Sequence, residues 1–100
     1  MYQTKRLNRT DKVIITAALT GAVTTKQDNP ALPTQPEEIA NAAIRCWEAG
    51  AAVVHIHVRD DNDQGSMRFD KFQETVGLIR QAKCPVVLNL TSSGGQGFSW

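Results

Sequence analysis

The run Ala52-Val-Val-His-Ile-His-Val-Arg-Asp60 constrains this chain more than any other stretch. It is apolar on both faces apart from His55 and His57, and strands buried on both faces belong to parallel sheets covered by helices. Successive strand side chains point to opposite faces, so His55 and His57 project side by side, with Val54, Ile56 and Val58 on the other face. A lone histidine in an apolar strand is ordinarily a core residue bonded to a carbonyl. A His-x-His pair running into Arg59-Asp60 suggests a divalent metal held through neutral ring nitrogens, because two unpartnered imidazoles are costly to bury. Two ligands do not complete a site.

The flanking pattern extends the same fold. Val13–Thr20 reads as a first strand, ended by Gly21. Residues 22–33 are a long polar connection with Asp28, Asn29, Pro30 and Pro33, the kind of loop that carries binding groups on a rigid scaffold. Thr34-Gln-Pro-Glu37 is a helix start, with Thr34 as cap, Pro36 in the first turn and Glu37 closing a capping box. Ile39, Ala43, Cys46 and Trp47 then share one helical face, and Gly50 stops the helix. After the histidine strand, Ala52–Val58, residues 59–69 read as a polar loop. Its Asp60, Asp61, Asp63 and Gly65 approach a calcium-loop spacing, but the required glutamate and flanking helices are missing.

Asp70 opens a second helix with Gln73 as capping partner. Phe72, Val76 and Ile79 form its inward stripe, and Gly77 marks close packing against a neighbour. Pro85 precedes a third strand, Val86–Thr91, followed by Ser92-Ser-Gly-Gly-Gln-Gly97. The order strand–helix–strand–helix–strand implies an α/β fold with a parallel sheet and right-handed crossovers.

One hundred residues with a formal net charge of +1 give no electrostatic footprint for nucleic acid. Residues 1–11, with Lys5, Arg6 and Arg9, read as a solvated basic arm. No run approaches a membrane span and no signal-peptide core follows the N-terminus, so a cytoplasmic setting is expected. Cys46 and Cys84 lack a Cys-x-x-Cys partner and read as reduced, buried apolar residues.

Ligands of parallel α/β sheets gather beyond the carboxyl ends of the strands. Thr20, His55, His57, Asn89 and Thr91 converge there. Arg59 and Asp60 could pair with each other or orient a histidine. The glycines after Thr91 would let backbone N–H groups approach an anionic ligand, although the loop lacks a P-loop lysine and a dinucleotide fingerprint.

Residues 14–22, Asn29–Pro33, Pro36-Glu-Glu, His55–Asp60, Arg68–Glu74 and Asn89–Gly95 together resemble the β-keto acid cleavage enzymes, 3-keto-5-aminohexanoate cleavage enzymes among them. The similarity runs in order over roughly residues 12–97. It implies that residues 12–100 are the N-terminal part, the first three β/α units, of a (β/α)8 TIM barrel. The implied reaction is zinc-dependent: a β-keto acid and acetyl-CoA yield acetoacetate and a new acyl-CoA. By the family pattern His55 and His57 are two zinc ligands. Thr91 lies where a hydroxyl residue binds substrate, Gly94 falls in the loop that holds it, and Ser92 stands between them. Val23 occupies the place of a glutamate that meets an ammonium group in amino-keto acid enzymes, which implies a neutral or apolar substrate tail.

The resemblance places the third zinc ligand and the reacting side chains on later strands, so the catalytic residues are unknown here and the hundred residues alone are expected to be inactive. It also suggests a homo-oligomer. Two alternatives stand beside it. One is a metal-dependent aldolase or hydrolase barrel, which would turn over without acetyl-CoA; the other is a small non-enzymatic α/β domain with structural histidines.

Overall fold

The computed structural model describes residues 13–91. The basic arm, Ser92 and Gly94 lie outside the described residues. The elements are β1 (Thr16–Ala18), α1 (Pro36–Glu48), β2 (Val53–Ile56), β3 (Val58–Arg59), β4 (Gly65–Ser66), α2 (Phe69–Gln81) and β5 (Val87–Leu90). The outer strands are shorter than the expected Val13–Thr20 and Val86–Thr91, because an edge residue without a neighbouring strand cannot complete a ladder.

β1, β2 and β5 form a parallel sheet in that order, so each helical crossover adds its strand on the same side. α1 and α2 pack against each other and α1 against β2, which puts both helices in one layer on one face. The core lies in that interface: Ile39, Ala40 and Ala43 of α1, Val54 and Ile56 of β2, Val58, Ile79 of α2, Cys84 and Val86. Each buried Val or Ile side chain contributes roughly 1.5–3 kcal/mol of transfer free energy. The second face carries no described helix.

α1 starts one residue later than expected. Gln35 is the cap, Pro36 the first residue and Glu38, in place of Glu37, the third. The Glu38 carboxylate accepts the Gln35 N–H at 3.2 Å and the Thr34 N–H at 3.1 Å. The helix closes in a Schellman motif, with Ala51 N–H on the Cys46 carbonyl and Gly50 N–H on that of Trp47. Gly50 has φ +116°, a conformation that L side chains rarely adopt. α2 ends the same way, Cys84 N–H reaching the Ile79 carbonyl, but the left-handed position is Lys83 at φ 60°.

α2 begins at Phe69 with Arg68 as cap, so Asp70 lies inside the first turn, where its carboxylate pairs with Arg68. Its buried stripe is Lys71, Thr75 and Ile79, while Phe72 and Val76 are half-buried. Polar residues take inward positions because their groups are satisfied: Thr75 Oγ1 donates to the Lys71 carbonyl, and Lys71 Nζ donates to Gln35 and Asp61. Gly77 is exposed and a Cβ there would meet nothing within 4 Å, so close packing does not explain it. Trp47 is 38% exposed and Cys46 half-buried, since they sit in the last turn of α1 at the amino end of the sheet. Cys84 is buried as expected.

Candidate functional site at the carboxyl end of the sheet

β2 separates its two faces as its alternation requires. Val54 and Ile56 are fully buried under the helices, and Val58 continues that side. His55 and His57 turn to the uncovered side, both half-buried, with ring centroids 5.1 Å apart and planes at 73°. Register sets their neighbours. Ala18 and Asn89 flank His55 from the two outer strands. Thr91 N–H donates to the Ile56 carbonyl and Leu19 N–H approaches that of His55, so Thr20 and Thr91 follow at the level of His57.

Two polar atoms at this end stand out. His57 Nδ1 and Thr20 Oγ1 are buried with no hydrogen-bond partner among the described residues. A buried unsatisfied group costs roughly 1–3 kcal/mol, so a native structure keeps one for a reason. Burial lowers the His57 pKa below its ordinary 6.5, and its electrostatic interactions with His55 and Arg59 lower it further. The imidazole is thereby held in the neutral form that ligates metal ions. His55 and His57 thus fit a divalent metal by donor type, mutual placement and a free buried nitrogen. They are a partial set, because no cluster of three or more metal-ligating side chains occurs among the described residues.

Arg59 neither pairs with Asp60 nor contacts a histidine through its hydrogen bonds. It is 1% exposed, and among the described residues its guanidinium binds only backbone carbonyls. Nε and Nη2 donate to Gly21 at 3.1 and 2.8 Å, Nη2 to Thr24 at 2.7 Å and Nη1 to Asp63 at 2.8 Å. Asp60 shapes a turn, its Oδ1 accepting the N–H groups of Asn62 and Gln64. That turn joins β3 to β4 in an antiparallel hairpin where the sequence suggested only a loop. Two-residue strands are too short to leave an alternation signal. The Asp-Asn-Asp-Gln-Gly composition of the turn was the available clue.

Val23 is 80% exposed in the connection between β1 and α1, and Asn89 is exposed on β5. The connection is braced a second time by Lys26, whose Nζ donates to the Leu32 carbonyl at 2.8 Å and to Glu38 at 2.9 Å. Gln35 is a hub that sequence gave no sign of. Its side chain donates to the Asp60 carbonyl and to Asp63 and accepts from Lys71, tying α1, the hairpin turn and α2 together.

The family model for β-keto acid cleavage enzymes matches residues 12–99. A 3-keto-5-aminohexanoate cleavage enzyme of Fusobacterium nucleatum is 44% identical over 85% of this chain and 31% of its own length. A 3-dehydrocarnitine:acetyl-CoA trimethylamine transferase of Rhizobium meliloti is 43% identical over 89% of the chain and 30% of its own length. A 3,5-dioxohexanoate:acetyl-CoA acetone transferase of Paraburkholderia graminis is 45% identical over 83% and 27%. The chain therefore spans about a third or less of the curated relatives it matches. The match nonetheless takes in both histidines and every strand and helix among the described residues, and the chain belongs to the β-keto acid cleavage enzyme family.

Proposed function

We propose that these residues form the first three β/α units of a (β/α)8 barrel enzyme that converts a β-keto acid and acetyl-CoA to acetoacetate and a new acyl-CoA. The observation that carries this is the pair His55 and His57, side by side on the sheet face that no described helix covers, with the buried Nδ1 of His57 unpartnered among the described residues. The two relatives named as acetyl-CoA transferases support the co-substrate. The parallel sheet with both helices on one face is what the opening of such a barrel requires. Homo-oligomeric assembly is part of the same reading. Among the described residues no helix is long and apolar enough to cross a membrane.

His55 and His57 would hold zinc as two of its ligands. Bound there, zinc supplies Lewis acidity that polarises the keto acid's oxygens and stabilises negative charge developing on them. The burial of His57 keeps it deprotonated for that role. We assign Thr91 to the substrate through its hydroxyl, with Thr20 and Asn89 as supporting residues; the family resemblance adds Ser92 and Gly94, which lie outside the described residues. Val23 faces the variable end of the keto acid, where a valine favours a neutral or apolar tail.

The test is metal content by native mass spectrometry, together with thioester exchange in the full-length protein. About one zinc per subunit, lost in His55→Ala and in His57→Ala along with acetoacetate formation, is the expected result. Turnover undiminished when acetyl-CoA is omitted would refute the reaction. Unchanged metal content in both variants would refute the ligand assignment.

A further inference from the structure

Arg59 is the most deeply buried charge in the described fold, and none of the ion pairs among the described residues includes it. A guanidinium has five N–H donors. Four bonds here run to the backbone carbonyls of Gly21, Thr24 and Asp63. Gly21 and Thr24 bracket Val23 in the connection after β1, Asp63 lies in the β3–β4 turn, and Arg59 itself follows His57 by two residues. A buried cation is retained only where its bonds are worth its desolvation. Here those bonds join two loops that no regular element holds together.

We propose that Arg59 is a positioning residue that latches segment 21–24 to the histidine strand and so sets residue 23 against the substrate tail. This rests on the proposed function for its substrate. The latch itself rests only on the geometry. The planar fork is needed because two carbonyls from one segment are gripped at once, which a lysine ammonium on a single stem does poorly.

The experiment compares wild type, Arg59→Lys and Arg59→Met in the full-length protein by limited thermolysin proteolysis and steady-state kinetics. Cleavage within residues 21–25 should accelerate at least about tenfold in both variants, while cleavage within residues 53–58 stays within about twofold. KM for the keto acid should rise about tenfold, with kcat changed less than about threefold, and Lys should recover part of the loss. Unchanged cleavage at 21–25 overturns the latch. So does acceleration across the whole protein in the lysine as well as the methionine variant, because Arg59 would then support the fold at large. A fall in kcat at constant KM overturns the positioning of residue 23. A wild type inactive with acetyl-CoA sinks the functional reading alone, and the proteolysis result still decides the latch.

Discussion

Glu38→Gln separates the two halves of a single carboxylate's work. Oε1 of Glu38 accepts the Thr34 N–H, the Thr34 hydroxyl and the Gln35 N–H at 3.1, 3.3 and 3.2 Å, and Oε2 accepts Lys26 Nζ at 2.9 Å. Glutamine keeps a carbonyl oxygen for the helix cap but turns an amide donor toward the Lys26 ammonium. The Lys26 bond, followed by the Thr34 and Gln35 N–H bonds and partly opposed by burial, brings the Glu38 carboxyl from 4.5 down to about 2. At about 1.4 kcal/mol per tenfold change in proton affinity, the full shift corresponds to roughly 3 kcal/mol. The side chain is 46% exposed, so solvent screening reduces the expected cost to ~1 kcal/mol.

Because this pKa is depressed on folding, the stabilisation is fully present above 4.5 and is lost as pH falls from there toward 2. The glutamine variant does not titrate in that window. Urea titrations of the full-length protein should therefore show a midpoint gap at pH 7 that closes on acidification. The gap should also shrink in high salt. Equal midpoints at pH 7, or a gap unchanged near pH 2, would refute the reasoning.

Two further outcomes follow from local geometry. Lys83→Gly should stabilise the protein by about 0.5–1 kcal/mol in the same titration, since Lys83 occupies the left-handed position at φ 60° where glycine carries no Cβ penalty. Val23→Glu should shift kcat/KM toward a keto acid with a cationic tail by about tenfold in a substrate panel, an ion pair being worth about 1 kcal/mol or more at a partly desolvated site.

The strand–helix order and the histidine pair were both legible in the sequence. Alternation alone put Val54, Ile56 and Val58 on one face and His55 and His57 on the other, and the buried residues agree with that division; a strand read as buried on both faces did not tell which face the helices cover. The α2 stripe was legible in Ile79 and in Phe72, which packs half-buried against the core, but not in Lys71 and Thr75, because hydropathy ranks these as outward residues when their hydrogen bonds are unknown. The α1 cap slipped by one residue because Thr34 and Gln35 both precede a glutamate three or four positions on. Arg59 and Asp60 are adjacent, yet their charges go to different tasks.

Periodicity and helix stops are decided within a few residues, by the 3.6- and 2-residue repeats and by backbone conformation at positions such as Gly50. Those features the sequence determined by itself: three parallel strands, two helices and a pair of imidazoles on one face. The partners of long charged side chains lie far along the chain, as Arg59 is from Gly21 and Lys71 from Gln35. Their choice depends on which carbonyls and carboxylates folding brings within about 3 Å. Only the tertiary structure decided that Arg59 is buried on backbone carbonyls, that Gln35 is a hub, and that the Nδ1 of His57 has no partner among the described residues.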